Sequence, residues 1–136
     1  MTGIYNKLKA DGTLTTALGG TAANGYKCYY SIAPQGTAEP YLTFGMMTDT
    51  PENFFGEVAA IEDATVYINI FSSSGSGKEA GTLFGYVDAV MNDASLTVTG
   101  YTTMKCLREY VGTTTWDPET RVFMIPTRYR VWLDKT

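Results

Sequence analysis

The sequence predicts an α+β fold with a mainly antiparallel β-sheet of about four to five strands packed against an N-terminal helix and one long helix. Apolar residues recur at three-to-four-residue spacing near the N-terminus and again at about residues 76–92, which is the period of a helix. Between and after these segments they alternate with other residues, which is the period of a strand. The length of 136 residues, 44% of them hydrophobic, predicts a single domain over residues 1–136 with one core.

The N-terminal helix is expected to be interrupted once and then to stop at glycine. Asp11–Gly12 predicts the break, and Gly19–Gly20 predicts the stop. Residues 21–40 are interpreted as a loop with one short extended piece at Tyr26–Ser31 and a turn at Ala33–Gly36, because proline and glycine favour turns. The apolar positions of the helix are Ile4, Leu8, Leu14, Ala17 and Leu18.

Two strands are predicted in the middle of the chain, at Tyr41–Met47 and Ala64–Phe71. The intervening segment, Thr48–Asp63, is interpreted as an acidic loop with an aromatic tip at Phe54 and Phe55, and an ordinary hairpin extension is the alternative. The residues sharing one face of the strands are Leu42, Phe44 and Met46 in the first and Val66, Ile68 and Ile70 in the second. The acids of the loop are Asp49, Glu52, Glu57, Glu62 and Asp63.

The long helix is predicted over Ser76–Asn92, with Ser76 and Glu79 forming a capping box at its start. Gly81 and Gly85 lower its helix propensity, so they indicate either close approach of another backbone or a simple propensity defect. The apolar stripe that carries the prediction is Ala80, Leu83, Phe84, Val87, Val90 and Met91.

A long C-terminal hairpin is predicted from Leu96–Val111 and Arg121–Leu133, joined through the turn sequence Asp117–Thr120. Pro126 lacks an amide donor, which places it at an edge, a bulge or a break. In the second arm, the residues predicted to share one face are Phe123, Ile125, Tyr129, Val131 and Leu133, and those predicted to share the other are Val122, Met124, Arg128, Arg130 and Trp132.

The sequence contains no histidine, which excludes Ser-His-Asp and Cys-His catalysis and imidazole metal sites. The net charge of -4 does not predict binding to nucleic acid or to an anionic membrane. Acids outnumber bases nine to one in residues 36–104, whereas residues 105–136 carry six bases and four acids. Cys28 and Cys106 are expected to be buried free thiols, because the start of the chain lacks the pattern of a signal peptide and no other ligands complete a zinc site. A single disulfide between them is the alternative, and it would need an oxidising compartment.

Each sequence motif that suggests catalysis lacks a residue or a spacing that the chemistry requires. Ser72 and Glu79 stand where a phosphate-binding loop needs glycine and a hydroxyl residue. No serine has lysine three positions later, and the adjacent acids Glu62 and Asp63 are expected to point to opposite faces of a strand. We therefore expect no catalytic residue, no cofactor and no metal site, and predict that the protein is not an enzyme.

Arg128, Arg130 and Trp132 are predicted to lie on one strand face, where an arginine can stack on the tryptophan. A basic-aromatic strand face can serve as a nucleic-acid platform, but the net acidity argues against it. A surface or subunit-contact role is favoured, since arginine and tryptophan are enriched in interfaces.

The order of these elements resembles the tail completion (tail terminator, tail-to-head joining) proteins of long-tailed bacteriophages. The resemblance covers nearly the whole chain and depends on order and spacing rather than on a catalytic motif. Departures are Gly12, where the family continues its first helix, and the expanded segments Thr48–Asp63 and Gly112–Trp116. The motifs that carry it are the Leu-Gly-Gly helix end, Tyr30–Gly36 before Pro40–Phe44, the Val66–Phe71 strand before the Lys78–Met91 helix, and the closing hairpin with Asp117–Thr120 and Tyr129–Trp132.

This resemblance implies a structural virion protein, assembled in the cytoplasm of the bacterial host and located in the tail or neck. Such proteins form a ring, usually of six subunits, that caps the tail tube and joins it to the head connector while DNA passes through without specific binding. No cofactor or membrane is implied. Another neck component, such as a head-closure or adaptor protein, is the alternative, and a small ligand-binding α+β domain is a weaker one.

Within this hypothesis we predict two sets of contact residues. Exposed aromatic residues at loop tips are costly unless assembly buries them, so the tips are expected to meet neighbouring proteins. The predicted interface residues are Phe54, Phe55, Trp116, Asp117, Arg128, Arg130 and Trp132. The acids predicted to line the lumen or face a neighbour are Asp49, Glu52 and Glu57.

Overall fold

The computed structural model describes residues 2–52, 61–73, 77–92, 97–98 and 101–135. Its elements are α1 (Thr2–Lys9), α2 (Gly12–Leu18), a 3₁₀ helix (Ala22–Lys27), β1 (Cys28–Tyr30), β2 (Tyr41–Glu52), β3 (Ile61–Ser72), α3 (Lys78–Met91), β4 (Thr97–Val98), β5 (Tyr101–Val111), β6 (Thr115–Asp117) and β7 (Val122–Lys135).

The α+β class is confirmed, but the sheet is larger than predicted. Within the described residues it has seven strands in the order β1-β2-β3-β7-β5-β4, with β6 also paired to β7. All pairs are antiparallel except β1 with β2, so the sheet is mixed. The short extended piece predicted at Tyr26–Ser31 is found as β1, although Tyr26 and Lys27 belong to the 3₁₀ helix. Sequence reasoning did not resolve β4 and β6, which have two and three residues, too few for an alternation to be recognised.

The predicted break in the N-terminal helix is confirmed. The Asp11 carboxylate accepts a hydrogen bond from the Leu14 amide at 3.2 Å and begins α2 as its N-cap. Gly19, at φ 72°, ends the helix in the left-handed conformation that glycine adopts without strain. The following turn lies one residue later than predicted, because the Thr37 amide donates to the Pro34 carbonyl at 3.1 Å with Gly36 at φ 83°.

The acidic loop prediction is wrong for the ends of Thr48–Asp63, which belong to a hairpin. β2 continues to Glu52 and β3 begins at Ile61, and these two residues are paired. An irregularity in register follows Met46. Backbone hydrogen bonds extend both strands beyond the point where their apolar alternation ends, so the side-chain pattern does not reveal these extensions. Phe54, Phe55 and Glu57 lie outside the described residues.

The capping box at the long helix is wrong. The N-cap is Gly77, at φ 70°, and this glycine has no side chain with which to cap the helix. The Glu79 carboxylate instead accepts a hydrogen bond from the Ser72 hydroxyl at 2.7 Å, which ties α3 to the end of β3. Gly81 and Gly85 face open space within the described structure, so the close backbone approach is not found there. The Ser76 position itself lies outside the described residues.

The helices pack on one face of the sheet. The stripe on α3 is confirmed, with Ala80, Leu83, Val87 and Met91 buried. The predicted inner face of β7 is confirmed at Ile125, Tyr129 and Val131, and Thr127 is buried on the same face. Cys28 and Cys106 are buried free thiols, as predicted, and burial raises the pKa of each to about 12.

Pro126 lies in β7 opposite Asn69 of β3, with the interruption between β5 and β6 on its other side. Its carbonyl accepts a hydrogen bond from the Gly112 amide at 2.8 Å across that interruption. The amide and carbonyl of one strand residue point to the same side, so the missing donor falls where no strand is paired. Of the predicted alternatives of an edge, a bulge or a break, Pro126 thus lies at a break in the pairing on one side of β7, while β7 itself continues through it.

Candidate interaction surfaces

The predicted contact residues that the structure describes do not form one site. Arg128, Arg130 and Trp132 lie on the face of β7 opposite the helices, as predicted. Trp116 and Asp117 lie on β6, beside the other end of β7. Asp49 and Glu52 lie on β2, across the sheet from β6.

Arg130 is held by an ion pair and an aromatic ring. Its Nε donates hydrogen bonds to the two carboxylate oxygens of Asp63 at 2.9 and 3.1 Å, and its Nη2 also donates to Asp63 Oδ2. The guanidinium carbon lies 5.0 Å from the centre of the Trp132 ring, which confirms the predicted stacking. The hydrogen bonds from Arg130 lower the pKa of Asp63, and the guanidinium charge acts in the same direction.

Arg128 makes a second stacked contact on the same sheet face. It lies directly opposite Tyr110 of β5, and its guanidinium carbon is 4.7 Å from the centre of the tyrosine ring. On its other side Arg128 is opposite Tyr67 of β3. Arg128 is thus half-buried between two tyrosines on the surface of the sheet. Tyr110 still keeps 45% of its surface exposed.

Asp117 organises the turn that joins β6 to β7. Its Oδ2 accepts a hydrogen bond from the Thr120 hydroxyl at 2.9 Å, its Oδ1 accepts one from the Glu119 amide at 3.0 Å, and its carbonyl accepts one from the Arg121 amide at 2.8 Å. The hydrogen bonds to its carboxylate, that from the Thr120 hydroxyl most of all and then that from the Glu119 amide, lower the pKa of Asp117. The predicted turn is thus found, and Asp117 has an internal role as its anchor.

Trp116 is a strand residue and not the tip of a loop. It is paired with Phe123 of β7, and the two ring centres are 4.4 Å apart. Phe123 packs in turn against the core. Trp116 nevertheless keeps 42% of its surface exposed, so it supplies apolar surface on a rigid element.

A cavity of about 390 Å³ lies between the start of β2 and the turn after β6, and it contains the acids Glu39 and Asp117. The pKa of Asp117 is lowered, which is the opposite of what a general acid requires. Among the described residues no group of three or more potential ligands is placed to hold a metal ion. No described helix has the length and apolar character needed to cross a membrane.

Sequence reasoning predicted Trp116 as a contact residue but missed the other exposed apolar residues at the two edges of the sheet. Within the described part of the chain, every large hydrophobic residue that is exposed lies at one of these edges. The pair Met46–Met47 was the one available signal, because two adjacent apolar residues in a strand cannot both face the core. These residues are Tyr30, Ile32, Met46 and Met47 at one edge and Tyr110, Val111 and Trp116 at the other.

Comparison with known proteins now decides the family. A sequence profile described as "Tail completion protein gp17" matches residues 2–134. The chain belongs to this tail completion family. The resemblance inferred from the order of motifs is thereby confirmed, and the protein is a structural phage tail protein that associates with other components of the virion tail.

Solved structures show the same fold at low sequence identity. A chain in the structure "Virion of native gene transfer agent (GTA) particle" superposes with a TM-score of 0.80 at 14% identity, covering 98% of this chain and 92% of that one. A second chain, identified only by a sequence code, has a TM-score of 0.57 at 13% identity, with 80% and 79% covered. A search of the curated proteins found no match.

Proposed function

We propose that this member of the tail completion family is a ring-forming tail terminator, which caps the finished tail tube and joins it to the head connector. Membership of the family over residues 2–134 carries this proposal. Six copies are the expected ring, and its partners are further copies, the tube protein and the connector proteins. DNA passes through the opening without specific binding, and the protein performs no catalysis.

The surface of the molecule supports a role in assembly. Apolar side chains are exposed at two different sheet edges, so one copy can contact two neighbours through unlike surfaces. Such head-to-tail contacts close into a ring when the rotation between copies is a whole fraction of a turn. Arg130 and Asp63 form an ion pair with each other, and the Asp117 carboxylate accepts hydrogen bonds within its own turn. These groups therefore stabilise the fold of the single subunit.

The proposal is tested with purified protein and tail tubes that lack a terminator. Electron microscopy should show rings at one end of each tube, and capped tubes should join to filled heads in a complementation assay. Heads and tubes incubated without the protein are the control. Protein that forms no ring and caps no tube, at any concentration or salt, would contradict the proposal.

The alternative of another neck component makes a different prediction for the same samples. A head-closure or adaptor protein would bind isolated heads and leave bare tubes unoccupied. Gold labelling of assembled particles would place the protein on the head side in that case, whereas a terminator is at the end of the tube.

A further inference from the structure

The two edges of the sheet carry the exposed apolar surface of the described structure. At the first edge β1 covers β2 only over Leu42–Phe44, and no described strand pairs with that side of β2 from Gly45 to Glu52. The patch beside this opening, which we name the β2 edge patch, is Tyr30, Ile32, Met46 and Met47, with exposed fractions of 58, 80, 43 and 51%.

The second edge is formed by β5 and β6, which follow one another along the same side of β7. β4 covers the beginning of β5, and the side chain of Asn92 accepts a hydrogen bond from the Arg108 amide at 3.0 Å. Beyond Arg108 no described strand covers this side. The patch here, which we name the β5–β6 edge patch, is Tyr110, Val111 and Trp116.

The charges of the two halves of the sheet are opposite. The segment 41–72, which holds β2 and β3, contains five acids and no base. The segment 105–136, which holds most of β5 and all of β6 and β7, contains six bases and four acids. Asp63 and Arg130 pair within one copy, but two β2 edges that face each other would still bring two acidic segments together. A β2 edge that faces a β5–β6 edge instead meets a segment in which bases are at least as many as acids.

We propose that the β2 edge patch of one copy docks against the β5–β6 edge patch of the next copy, so that the sheets of neighbouring subunits meet side by side. This contact rests on the proposed ring and names the surfaces that build it. Two unlike patches on opposite edges give a heterologous contact, in which each copy uses both edges once. Exposed edges and apolar patches of this kind promote association between chains.

Two single substitutions test the contact. Ile32→Asp places a charge in the β2 edge patch at a residue outside every strand and helix, and Val111→Asp does so in the β5–β6 edge patch. Each should weaken self-association at least about tenfold, because burying an aliphatic side chain contributes that much or more. Thr82→Asp, on the exposed side of α3, is the control and should associate like the wild type.

Mixing the variants separates an edge-to-edge contact from other forms of association. The Ile32→Asp copy keeps an intact β5–β6 edge patch, and the Val111→Asp copy keeps an intact β2 edge patch. The mixture should therefore form a one-to-one dimer in native mass spectrometry, while each variant alone stays monomeric. Circular dichroism checks folding, and Val111→Ser replaces Val111→Asp if the latter lowers the melting temperature.

The outcomes distinguish this contact from the proposed function. If both variants form rings as the wild type does, the edge contact is overturned and the terminator role is not. The same holds if the control variant Thr82→Asp loses its rings to the same extent as the two edge variants. If the tube protein binds the wild type but not Ile32→Asp, while self-association is unchanged, the β2 edge belongs to the tube and the proposal fails. Rings that need both edges but cap no tube would support the contact and overturn the terminator role. Wild type that stays monomeric with and without tubes would overturn both.

Discussion

The Tyr129 hydroxyl on β7 donates a hydrogen bond to Asp88 Oδ1 on α3 at 3.1 Å, although the two residues are 41 positions apart. The other oxygen of Asp88 lies 3.0 Å from a guanidinium nitrogen of Arg108 on β5. One carboxylate thus joins the long helix to two strands. Burial is the main cause of the raised pKa of Tyr129, and the charge of Asp88 adds to it.

Tyr129→Phe should destabilise the protein by about 2 kcal/mol, because it removes one hydrogen bond to a charged acceptor and leaves the packing of the ring intact. Urea unfolding followed by fluorescence measures the change in the free energy of unfolding. Tyr86→Phe on α3 is the matched control, since no described residue accepts a hydrogen bond from its hydroxyl. Equal stability of Tyr129→Phe and the wild type would show that the hydrogen bond to Asp88 contributes nothing net.

The two thiols should be unreactive in the folded protein. Cys28 and Cys106 are 3% and 0% exposed, and burial raises the pKa of each from 9.0 to about 12. A disulfide reagent at pH 8 should therefore label neither thiol until urea is added, and then label both. Rapid labelling of either cysteine without denaturant would contradict the burial.

The same shift makes stability depend on alkaline pH. The unfolded chain loses its thiol protons near pH 9, whereas the folded chain keeps them until about pH 12. The contribution of burying the neutral thiols is therefore complete below pH 9 and is lost as the pH rises toward 12. Cys106→Ala should show a shallower decline than the wild type in that range when the free energy of unfolding is measured at several pH values.

The ion pair of Asp63 with Arg130 should support folding at neutral pH and not in strong acid. The pKa of Asp63 is lowered from 3.8, so its contribution is present above that value and is lost as the pH falls through the lower pKa of the folded state. Asp63→Asn should be less stable than the wild type at pH 7. When urea unfolding is measured at several pH values, the difference in the free energy of unfolding should vanish at the most acidic ones. Glu109→Gln, at an exposed acid on β5, is the control and should change the free energy of unfolding little at pH 7.

Trp116→Ala should weaken assembly about tenfold or more while the monomer stays folded. The ring is 42% exposed and rests on Phe123, so its outer surface is available for a neighbour. Sedimentation velocity measures association, and near-ultraviolet circular dichroism checks the fold. Glu119→Ala, exposed in the next turn, is the control. Wild-type tail joining by Trp116→Ala would count against an interface at β6.

Reversing charge at the acidic end of β2 tests the predicted lumen. If Asp49 and Glu52 face the channel, Asp49→Lys with Glu52→Lys should slow DNA ejection, since the new cations attract the phosphate backbone. Asp49→Lys alone is compared with Glu119→Lys, a single charge reversal at an exposed residue in the turn after β6. The measurement is the rate of DNA ejection from fully assembled particles. An unchanged rate would contradict the prediction that these acids line the channel.

Local patterns predicted most of the elements because their causes are local. The apolar stripe of α3, the alternation in β7 and the break at Asp11–Gly12 all depend on neighbours within a few residues. The capping box failed because Glu79 contacts Ser72, which the backbone brings near only after β3 and α3 have folded. The turn sequence at Asp117 was recognised, but its carboxylate proved to be bound within the turn.

The sequence by itself determined the α+β class, the absence of histidine chemistry and the order of elements by which the family was recognised. Only the tertiary structure decided which surfaces remain open. Whether Met46, Tyr110 or Trp116 is exposed depends on the order of strands in the sheet, and that order depends on pairings between residues far apart in the chain. Edges are a property of the assembled sheet, so no window of sequence contains them.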